Sequence, residues 1–176
     1  MVTDNKLRKD NTHLSSKAKK IKLVLTDSDG VLTDTGVFYS ADGEIMKRFS
    51  IRDGMGVERL RNVLGIETGI ITGEQSGSVA KRAEKLNIRY LYLGIKDKKS
   101  ILPQILSELQ IAKENIAFIG DDVNDLELLS EVGLTATPSD GTDFVKNIVH
   151  YVCKNKGGNG AFREFAELII SLNTEN

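Results

Sequence analysis

Short apolar runs alternate along the chain with segments whose apolar residues recur at helical spacing. Six runs have the length and the polar boundaries of buried strands, over residues 21–25, 68–71, 90–93, 116–119, 134–136 and 149–152. Helical spacing or helix-start signals predict helices over residues 57–64, 78–86, 102–109, 126–130, 144–148 and 161–172. This alternation predicts βαβ units in a Rossmann-like α/β domain, with helices on both faces of a mostly parallel sheet.

One segment near the start departs from the alternation. The apolar stretches Val37–Tyr39 and Ile45–Phe49 flank Asp42-Gly43. Asp-Gly between two apolar stretches is a strong hairpin signal. We therefore expect a β-hairpin that stands apart from the parallel sheet as a flap.

Residues 1–20 have no apolar pattern and are locally basic, which predicts a flexible polar tail before a single domain over residues 21–176. The chain has 24 basic and 25 acidic residues, for a formal net charge of −1, so neither a nucleic acid nor a membrane surface is an expected partner. The single cysteine, Cys153, excludes an intrachain disulfide, and no apolar run reaches membrane-spanning length. We expect a cytoplasmic protein.

Polar residues that carry chemistry come directly after the predicted strands. Ligands of open α/β sheets bind beyond the carboxyl ends of the strands, so these residues are expected at one edge. They are Asp27 and Asp29, then Thr72, Gly73 and Glu74, then Lys98, and last Asp121, Asp122 and Asp125. Carboxylates gathered in this way repel one another and need a cation. Oxygen ligands without a nearby histidine or cysteine favour Mg²⁺.

The residues around these acids are suited to phosphoryl transfer. Lys98 and Thr72 are donor types that bind phosphoryl oxygens. Asp27 and Asp29 are spaced so that one carboxylate attacks phosphorus while the other exchanges protons with the leaving group and with water. The Asp-Ser-Asp spacing does not fit a receiver domain, and no GxxxxGK[ST] sequence supports a P-loop nucleotide site.

Several positions allow a plainer interpretation. Asp125 either joins the acidic site or caps the helix that begins at Leu126, and Asp122 lies either near the metal or on the surface. The lysine of the site is Lys98 or, with a slip in alignment, Lys96 or Lys99. Three further residues are either substrate contacts or ordinary surface charges: Glu74, Lys85 and Arg163.

The chain resembles the haloacid dehalogenase phosphatase superfamily, because the four motifs of that superfamily appear in it in the same order. They are Asp27-Ser28-Asp29-Gly30-Val31, Ile71-Thr72-Gly73, Lys98 and Gly120-Asp121-Asp122. The resemblance implies that Asp27 is the nucleophile and Asp29 the general acid and base. It implies Mg²⁺ held by Asp27, the backbone carbonyl of Asp29 and Asp121. Phosphate binding would fall to Thr72, Gly73 and Lys98.

Three further segments resemble the capless branch of 3-deoxy-D-manno-octulosonate (KDO) 8-phosphate and 2-keto-3-deoxynononate (KDN) 9-phosphate phosphatases. They are Gly30–Asp34, Phe49–Gly54 and Gly157–Glu164. The chain leaves no room for a cap domain between its motifs. The resemblance implies a small acidic sugar-phosphate substrate and a homotetramer. In that tetramer the glycine-rich segment, with Arg163 or its neighbours, closes the site of an adjacent subunit.

One position separates the two substrate classes. Eight-carbon enzymes of the branch generally carry arginine where this chain has Glu74, and the pair Glu74 and Lys85 resembles the KDN 9-phosphate phosphatases. We therefore expect a nine-carbon substrate, with KDO 8-phosphate as the alternative. Two other classes stay open: a catalytically silent partner domain of a cytidylyltransferase, and a regulator that retains its aspartyl-phosphate. The intact pair Asp27 and Asp29 speaks against both.

Overall fold

The computed structural model describes residues 13–174 and centres on a six-stranded parallel sheet. The strand order is β5-β4-β1-β6-β7-β8, and each neighbouring pair is parallel. The sheet strands are β1 (Leu23–Thr26), β4 (Glu67–Ile71), β5 (Tyr90–Tyr92), β6 (Ile116–Ile119), β7 (Leu134–Thr137) and β8 (Tyr151–Val152). The prediction of a Rossmann-like α/β fold is confirmed, with each strand within two residues of its expected position.

Helices cover both faces of the sheet. Because side chains alternate along a strand, Val24 of β1 faces one helical layer while Leu23 and Leu25 face the other. One layer contains α1 (residues 13–18), α2 (Ile51–Arg59), α3 (Gly77–Lys85) and α7 (Ala161–Thr174). The other contains α4 (Leu102–Leu109), α5 (Leu126–Leu129) and α6 (Asp143–Lys146). With both faces covered, β1, β6 and β7 are buried along their whole length.

The predicted hairpin is present as a separate antiparallel pair, β2 (Val37–Ser40) and β3 (Gly43–Lys47), which we call the flap. The chain enters α2 six residues earlier than the helical spacing indicated. Ser50 is the reason, because its hydroxyl accepts the amides of Arg52 and Asp53 and so starts the helix at Ile51. Helix α2 then continues into a π-helical segment over Leu60–Leu64. No cap domain interrupts the segment from β1 to β5.

The structure differs from the predicted tail in the part of it that is described. Residues 13–18 form α1, Ala18 is fully buried, and Leu14 packs against the core. The ammonium of Lys17 donates to the carbonyl of Gly133 at 2.9 Å. The short apolar pair Leu14 and Ala18, four residues apart, was too brief a pattern to indicate this helix. Residues 1–12 of the predicted tail lie outside the described residues.

The glycine-rich segment 157–160 packs against the loop after β1. The amide of Gly158 donates to the carbonyl of Val31 at 2.9 Å. A β-carbon on Gly157 would lie 1.9 Å from the carbonyl oxygen of Gly30, so no larger residue fits there. Asp53 of α2 fixes the other end of the segment, accepting the amides of Gly160 and Arg163. The segment therefore supports the loop of its own chain.

One further feature agrees with the sequence. Cys153 is buried, as expected for a small apolar side chain. Across residues 13–174, no helix combines the length and the apolar character that crossing a membrane requires.

Gly157→Ala is expected to destabilise the fold by about 1–3 kcal/mol, because the added methyl group overlaps the Gly30 carbonyl. Urea unfolding followed by circular dichroism measures the change. Gly77→Ala is the matched control, since a β-carbon at the start of α3 meets no atom within 4 Å. A loss of stability in Gly77→Ala as large as that in Gly157→Ala would refute the close-packing argument.

Candidate active site

The carboxyl ends of β1, β4 and β6 bring the predicted motifs together around one cleft of about 270 Å³. Nine residues line it: Asp27, Asp29, Thr35, Thr72, Gly73, Glu74, Asp121, Asp122 and Asn124. Five of them are acidic, so the cleft has a strong negative charge before any cation or ligand binds. The predicted grouping of the motifs at one sheet edge is present in the structure.

Asp27 lies at the floor of the cleft, directly after β1. Its backbone amide continues the sheet by donating to the carbonyl of Ile119 at 3.0 Å. The amide of Ser28 donates to its Oδ1 at 2.7 Å. Only 4% of Asp27 is exposed, and that exposed part faces the cleft. Backbone and side-chain bonds together hold this carboxylate in one orientation.

Lys98 is the lysine of the site. Its Nζ lies 2.8 Å from Oδ1 of Asp27 and 2.6 Å from Oδ1 of Asp125, and the side chain is 1% exposed. A buried ammonium requires such partners. Burial alone would lower the pKa of Lys98, but the two carboxylates outweigh it and raise that pKa. Lys96 and Lys99 are exposed, and Lys99 pairs with Glu131.

Asp125 is a buried support for its neighbours. Its Oδ1 accepts Lys98, and its Oδ2 accepts the amide of Asp121 at 2.9 Å. Its side chain does not cap α5, and both of its oxygens are already occupied. Asp122 is exposed at the rim of the cleft, where its carboxylate accepts the amide of Val123. Of the two alternatives considered for Asp125, the structure therefore shows the first: it belongs to the acidic cluster, where it positions Lys98 and the Asp121 amide.

The clustered acids disfavour one another's charge. One carboxylate oxygen from each of Asp27, Asp121 and Asp125 falls within a 4.8 Å group. Burial, followed by the charge of Asp125, raises the pKa of Asp27 to about 7 against the pull of Lys98. Burial, followed by the charges of Asp27 and Asp125, raises the pKa of Asp121 to about 8. One lysine therefore does not balance three carboxylates.

These residues fit a hard divalent cation. With both oxygens of Asp125 occupied, Asp27 and Asp121 are the carboxylates available to it. Gly30 has a φ of +87°, and a β-carbon there would lie 2.0 Å from Oδ2 of Asp121, so the loop backbone closes directly over that carboxylate. Carboxylate and backbone oxygens, with space for water in the cleft, suit Mg²⁺.

Asp29 has a partner that the sequence did not indicate. Lys47, the last residue of flap strand β3, places its Nζ 2.8 Å from Oδ1 and 2.7 Å from Oδ2 of Asp29. The hydroxyl of Thr33 lies 3.4 Å from Oδ1. A side chain at the end of a hairpin strand can face either the solvent or the protein. The sequence does not decide between the two, and only the folded flap shows that Lys47 faces Asp29.

Thr72 and Gly73 line the cleft directly after β4, and Thr72 is buried. The hydroxyl of Thr72 accepts the amide of Glu74 at 3.2 Å, which fixes the turn into the next helix. Glu74 is exposed at the cleft wall. These three positions agree with the predicted placement of the second motif.

The structure does not bring two predicted substrate contacts into this cleft. Lys85 is exposed at the end of α3, outside the lining residues. Arg163 lies on α7, where its Nε donates to Glu167 at 2.6 Å in a cluster shared with Arg59. Helical spacing puts Arg163 and Glu167 on one face, and this pairing turns the arginine away from the cleft of its own chain.

Comparison with known proteins shows the class to which this site belongs. Residues 90–165 match the family model of haloacid dehalogenase-like hydrolases. The curated 3-deoxy-D-manno-octulosonate 8-phosphate phosphatase of Haemophilus influenzae is 35% identical over 157 residues, which are 89% of this chain and 87% of that protein.

Solved structures agree with the sequence match over nearly the whole chain. A probable YrbI family phosphatase from Pseudomonas syringae has a TM-score of 0.88 and 40% identity, covering 93% of this chain and 92% of its own. The KDO 8-phosphate phosphatase of Moraxella catarrhalis was solved with a magnesium ion, a phosphate ion and KDO. It has a TM-score of 0.86 and 37% identity, covering 90% of this chain and 91% of its own.

The chain belongs to the haloacid dehalogenase-like phosphatases, in the capless branch that contains the KDO 8-phosphate phosphatases. It is a hydrolase of phosphomonoesters, as the motifs predicted. The expectation of Mg²⁺ as cofactor is also confirmed, by the family, by the magnesium in the Moraxella structure and by the acidic cluster here. The expected nine-carbon preference finds no support among these relatives.

Mg²⁺ is expected to raise the Tm of the protein, and by more at about pH 8 than at about pH 5.5. The folded-state pKa values of Asp27 and Asp121 are raised from 3.8 to about 7 and about 8. Without metal, the folded chain therefore binds more protons than the unfolded chain, and its stability falls as pH rises through that window. Mg²⁺ binds the deprotonated acids and removes this penalty.

Thermal unfolding with excess Mg²⁺ or with EDTA at each pH measures the effect, with a shift of about 5 °C or more expected at saturation. Asp121→Asn should lose most of the shift, and Asp42→Asn in the exposed turn of the flap should keep it. A shift that is equal at both pH values, or larger at the acidic one, would contradict the assignment.

Proposed function

We propose that this protein hydrolyses KDO 8-phosphate to KDO and inorganic phosphate through an aspartyl-phosphate on Asp27, with Mg²⁺ as cofactor. The observation that carries this proposal is the fixed carboxylate of Asp27, held by Lys98 and the Ser28 amide at the floor of a small acidic cleft. The Haemophilus and Moraxella relatives favour the eight-carbon substrate over the nine-carbon one.

The reaction has two steps, and this chain's residues handle the proton in each. In the first, a carboxylate oxygen of Asp27 bonds to phosphorus while the bond to the sugar oxygen breaks, and Asp29 gives that oxygen a proton. In the second, water attacks the same phosphorus, Asp29 takes a proton from it, and the acyl bond to Asp27 breaks. Phosphate leaves and both aspartates return to their starting state.

The surrounding residues bind and orient the phosphoryl group. Thr72 and the backbone of Gly73 supply donors at the cleft wall, and Lys98 supplies positive charge beside Asp27. Mg²⁺, held by Asp27, Asp121 and the backbone carbonyl of Asp29, supplies further positive charge that offsets the charge of the phosphoryl oxygens. Asp125 acts through Lys98 and the Asp121 amide, and does not touch the substrate.

Substrate selection falls to the cleft wall. Glu74 is exposed there and can accept hydrogen bonds from sugar hydroxyls, while it repels a carboxylate placed beside it. A sugar acid would therefore bind with its hydroxyls, and not its carboxylate, towards Glu74. Lys85 lies outside the cleft of its own chain. It could therefore help to select the substrate only by reaching the cleft of a neighbouring subunit.

We propose that the protein assembles into a homotetramer through the flap. Large apolar side chains on the flap are exposed in the single chain: Phe38, Tyr39, Ile45 and Met46. Side chains of this kind, close together on one hairpin, are typical of an interface. Closure of the cleft by a neighbouring subunit would also give Arg163 a role that it does not have in its own chain.

Phosphate release with Mg²⁺ from KDO 8-phosphate and KDN 9-phosphate tests the function. We expect a kcat/KM at least about tenfold higher for the eight-carbon compound, because binding differences of this kind are worth about 1–3 kcal/mol. A preference for KDN 9-phosphate would restore Glu74 as a nine-carbon selector and leave the chemistry standing.

Asp27→Asn is the control for the chemistry, and turnover should fall by about 10³-fold or more because the nucleophile is lost. Asp143→Asn, at an exposed position of α6 outside the cleft and the flap, makes the same change of charge and should keep full activity. Circular dichroism establishes that both variants fold. Full activity in Asp27→Asn would remove the aspartyl-phosphate mechanism.

Sedimentation equilibrium tests the assembly and is expected to give a mass four times that of the chain. Phe38→Ser with Tyr39→Ser removes two large apolar groups from the flap and should shift the protein towards smaller species. Val63→Ser, at another exposed apolar position, is the control and should leave the mass unchanged. A wild-type monomer at micromolar concentration would contradict the proposal.

A further inference from the structure

Lys47 is a buried cation with a specific partner in the active site. Its ammonium binds both carboxylate oxygens of Asp29, at 2.8 and 2.7 Å, and its side chain is 1% exposed. Lysine is among the residues least often buried, and burial of its charge requires paired acceptors. The pair therefore exists only while β3 lies against the loop that carries Asp29.

A second contact ties the same end of the flap to the opposite wall. Glu44 of β3 lies 3.5 Å from Lys47 and accepts the hydroxyl of Ser76 at 2.6 Å. Ser76 caps α3, the helix that comes after cleft residues Thr72 and Gly73. Through Lys47 and Glu44, the flap thus connects the loop after β1, which carries Asp29, to the start of α3 on the other side of the cleft.

Among residues 13–174, little else orients Asp29. Its other side-chain contact is the Thr33 hydroxyl at 3.4 Å, and its side chain is 27% exposed. Asp27, by contrast, is held by Ser28 and Lys98 and is almost fully buried. An aspartate side chain that is partly open to solvent can adopt several rotamers, and a bond from one lysine to both oxygens selects a single one.

We propose that Lys47 is a positioning residue that orients Asp29 for proton transfer to the leaving sugar oxygen, so that docking of the flap completes the active site. This inference rests on the proposed function and adds to it a residue outside the four motifs. Lys47 acts through Asp29 and does not touch the substrate. Glu44 and Ser76 hold the flap in the position that allows this contact.

Substrates with different leaving groups can distinguish a positioning role of Lys47 from a purely structural one. A sugar alkoxide is a poor leaving group and needs a proton from Asp29 as the ester bond breaks. A p-nitrophenolate is a stable anion and leaves without that proton. Because kcat/KM reports the steps through transfer of the phosphoryl group to Asp27, loss of a positioned acid must lower it more for the sugar ester than for p-nitrophenyl phosphate.

The experiment compares kcat/KM of wild type and Lys47→Met on KDO 8-phosphate and p-nitrophenyl phosphate with Mg²⁺. The loss of kcat/KM in Lys47→Met is expected to be about 10- to 100-fold larger for the sugar phosphate than for p-nitrophenyl phosphate. Lys47→Arg keeps a bidentate donor and should recover part of that difference. Lys81→Met is the matched control, since Lys81 is exposed on α3 and pairs with Glu84 of the same helix, and activity on both substrates should be unaffected.

Equal losses on the two substrates, or full activity in Lys47→Met, would overturn the proposal. If Lys47→Met does not fold, Glu44→Gln replaces it, because it keeps Lys47 but removes the charge of the second carboxylate beside its ammonium, at 3.5 Å. In this variant kcat/KM should again fall more for the sugar phosphate than for p-nitrophenyl phosphate, by a smaller factor. Equal losses on the two substrates would likewise refute the role of Lys47. A wild-type protein that hydrolyses neither substrate would instead reject the proposed function itself.

Discussion

The active site depends on one buried contact, the ammonium of Lys98 between the carboxylates of Asp27 and Asp125. At about 4 Å two like charges repel by about 4 kcal/mol in a medium of dielectric near 20, so acids this close together require a cation. Lys98 meets part of that need and fixes the direction of Asp27, while Asp125 also holds the amide of Asp121. The remaining negative charge makes the cleft a site for Mg²⁺.

Two close contacts made by glycines fix the backbone around this ion pair. Gly30 passes over the Asp121 carboxylate at a positive φ, and Gly157 presses against the Gly30 carbonyl from the other side. The loop after β1 is thus held by a segment that is distant along the chain. The flap adds the last element, because Lys47 joins Asp29 only when the hairpin is docked. One cleft thus contains the tightly held carboxylate of Asp27 and the carboxylate of Asp29, whose orientation depends on the flap.

Local pattern and strand order were enough to predict the sheet and the grouping of the main acids. Asp27, Thr72 and Asp121 come directly after buried strands, and the ends of parallel strands share an edge. Lys47 was missed because its direction depends on how the flap folds back. Asp125 was ambiguous because its two partners, Lys98 and the Asp121 amide, meet it only in three dimensions. Arg163 was assigned by resemblance to the site of an adjacent subunit, and in its own chain it pairs with Glu167, so that assignment stays a prediction.

Identification of the phosphorylated residue during turnover tests the central claim most directly. Acid quenching within milliseconds of mixing the enzyme with substrate and Mg²⁺, followed by peptide mass spectrometry, detects an acyl-phosphate. The account predicts one added phosphoryl group on the peptide that contains Asp27. With p-nitrophenyl phosphate, whose leaving group needs no proton from Asp29, it also predicts a larger trapped fraction in Asp29→Asn, because water then attacks without a base. A phosphoryl group on a peptide that lacks Asp27, or none in either protein under turnover conditions, would contradict it.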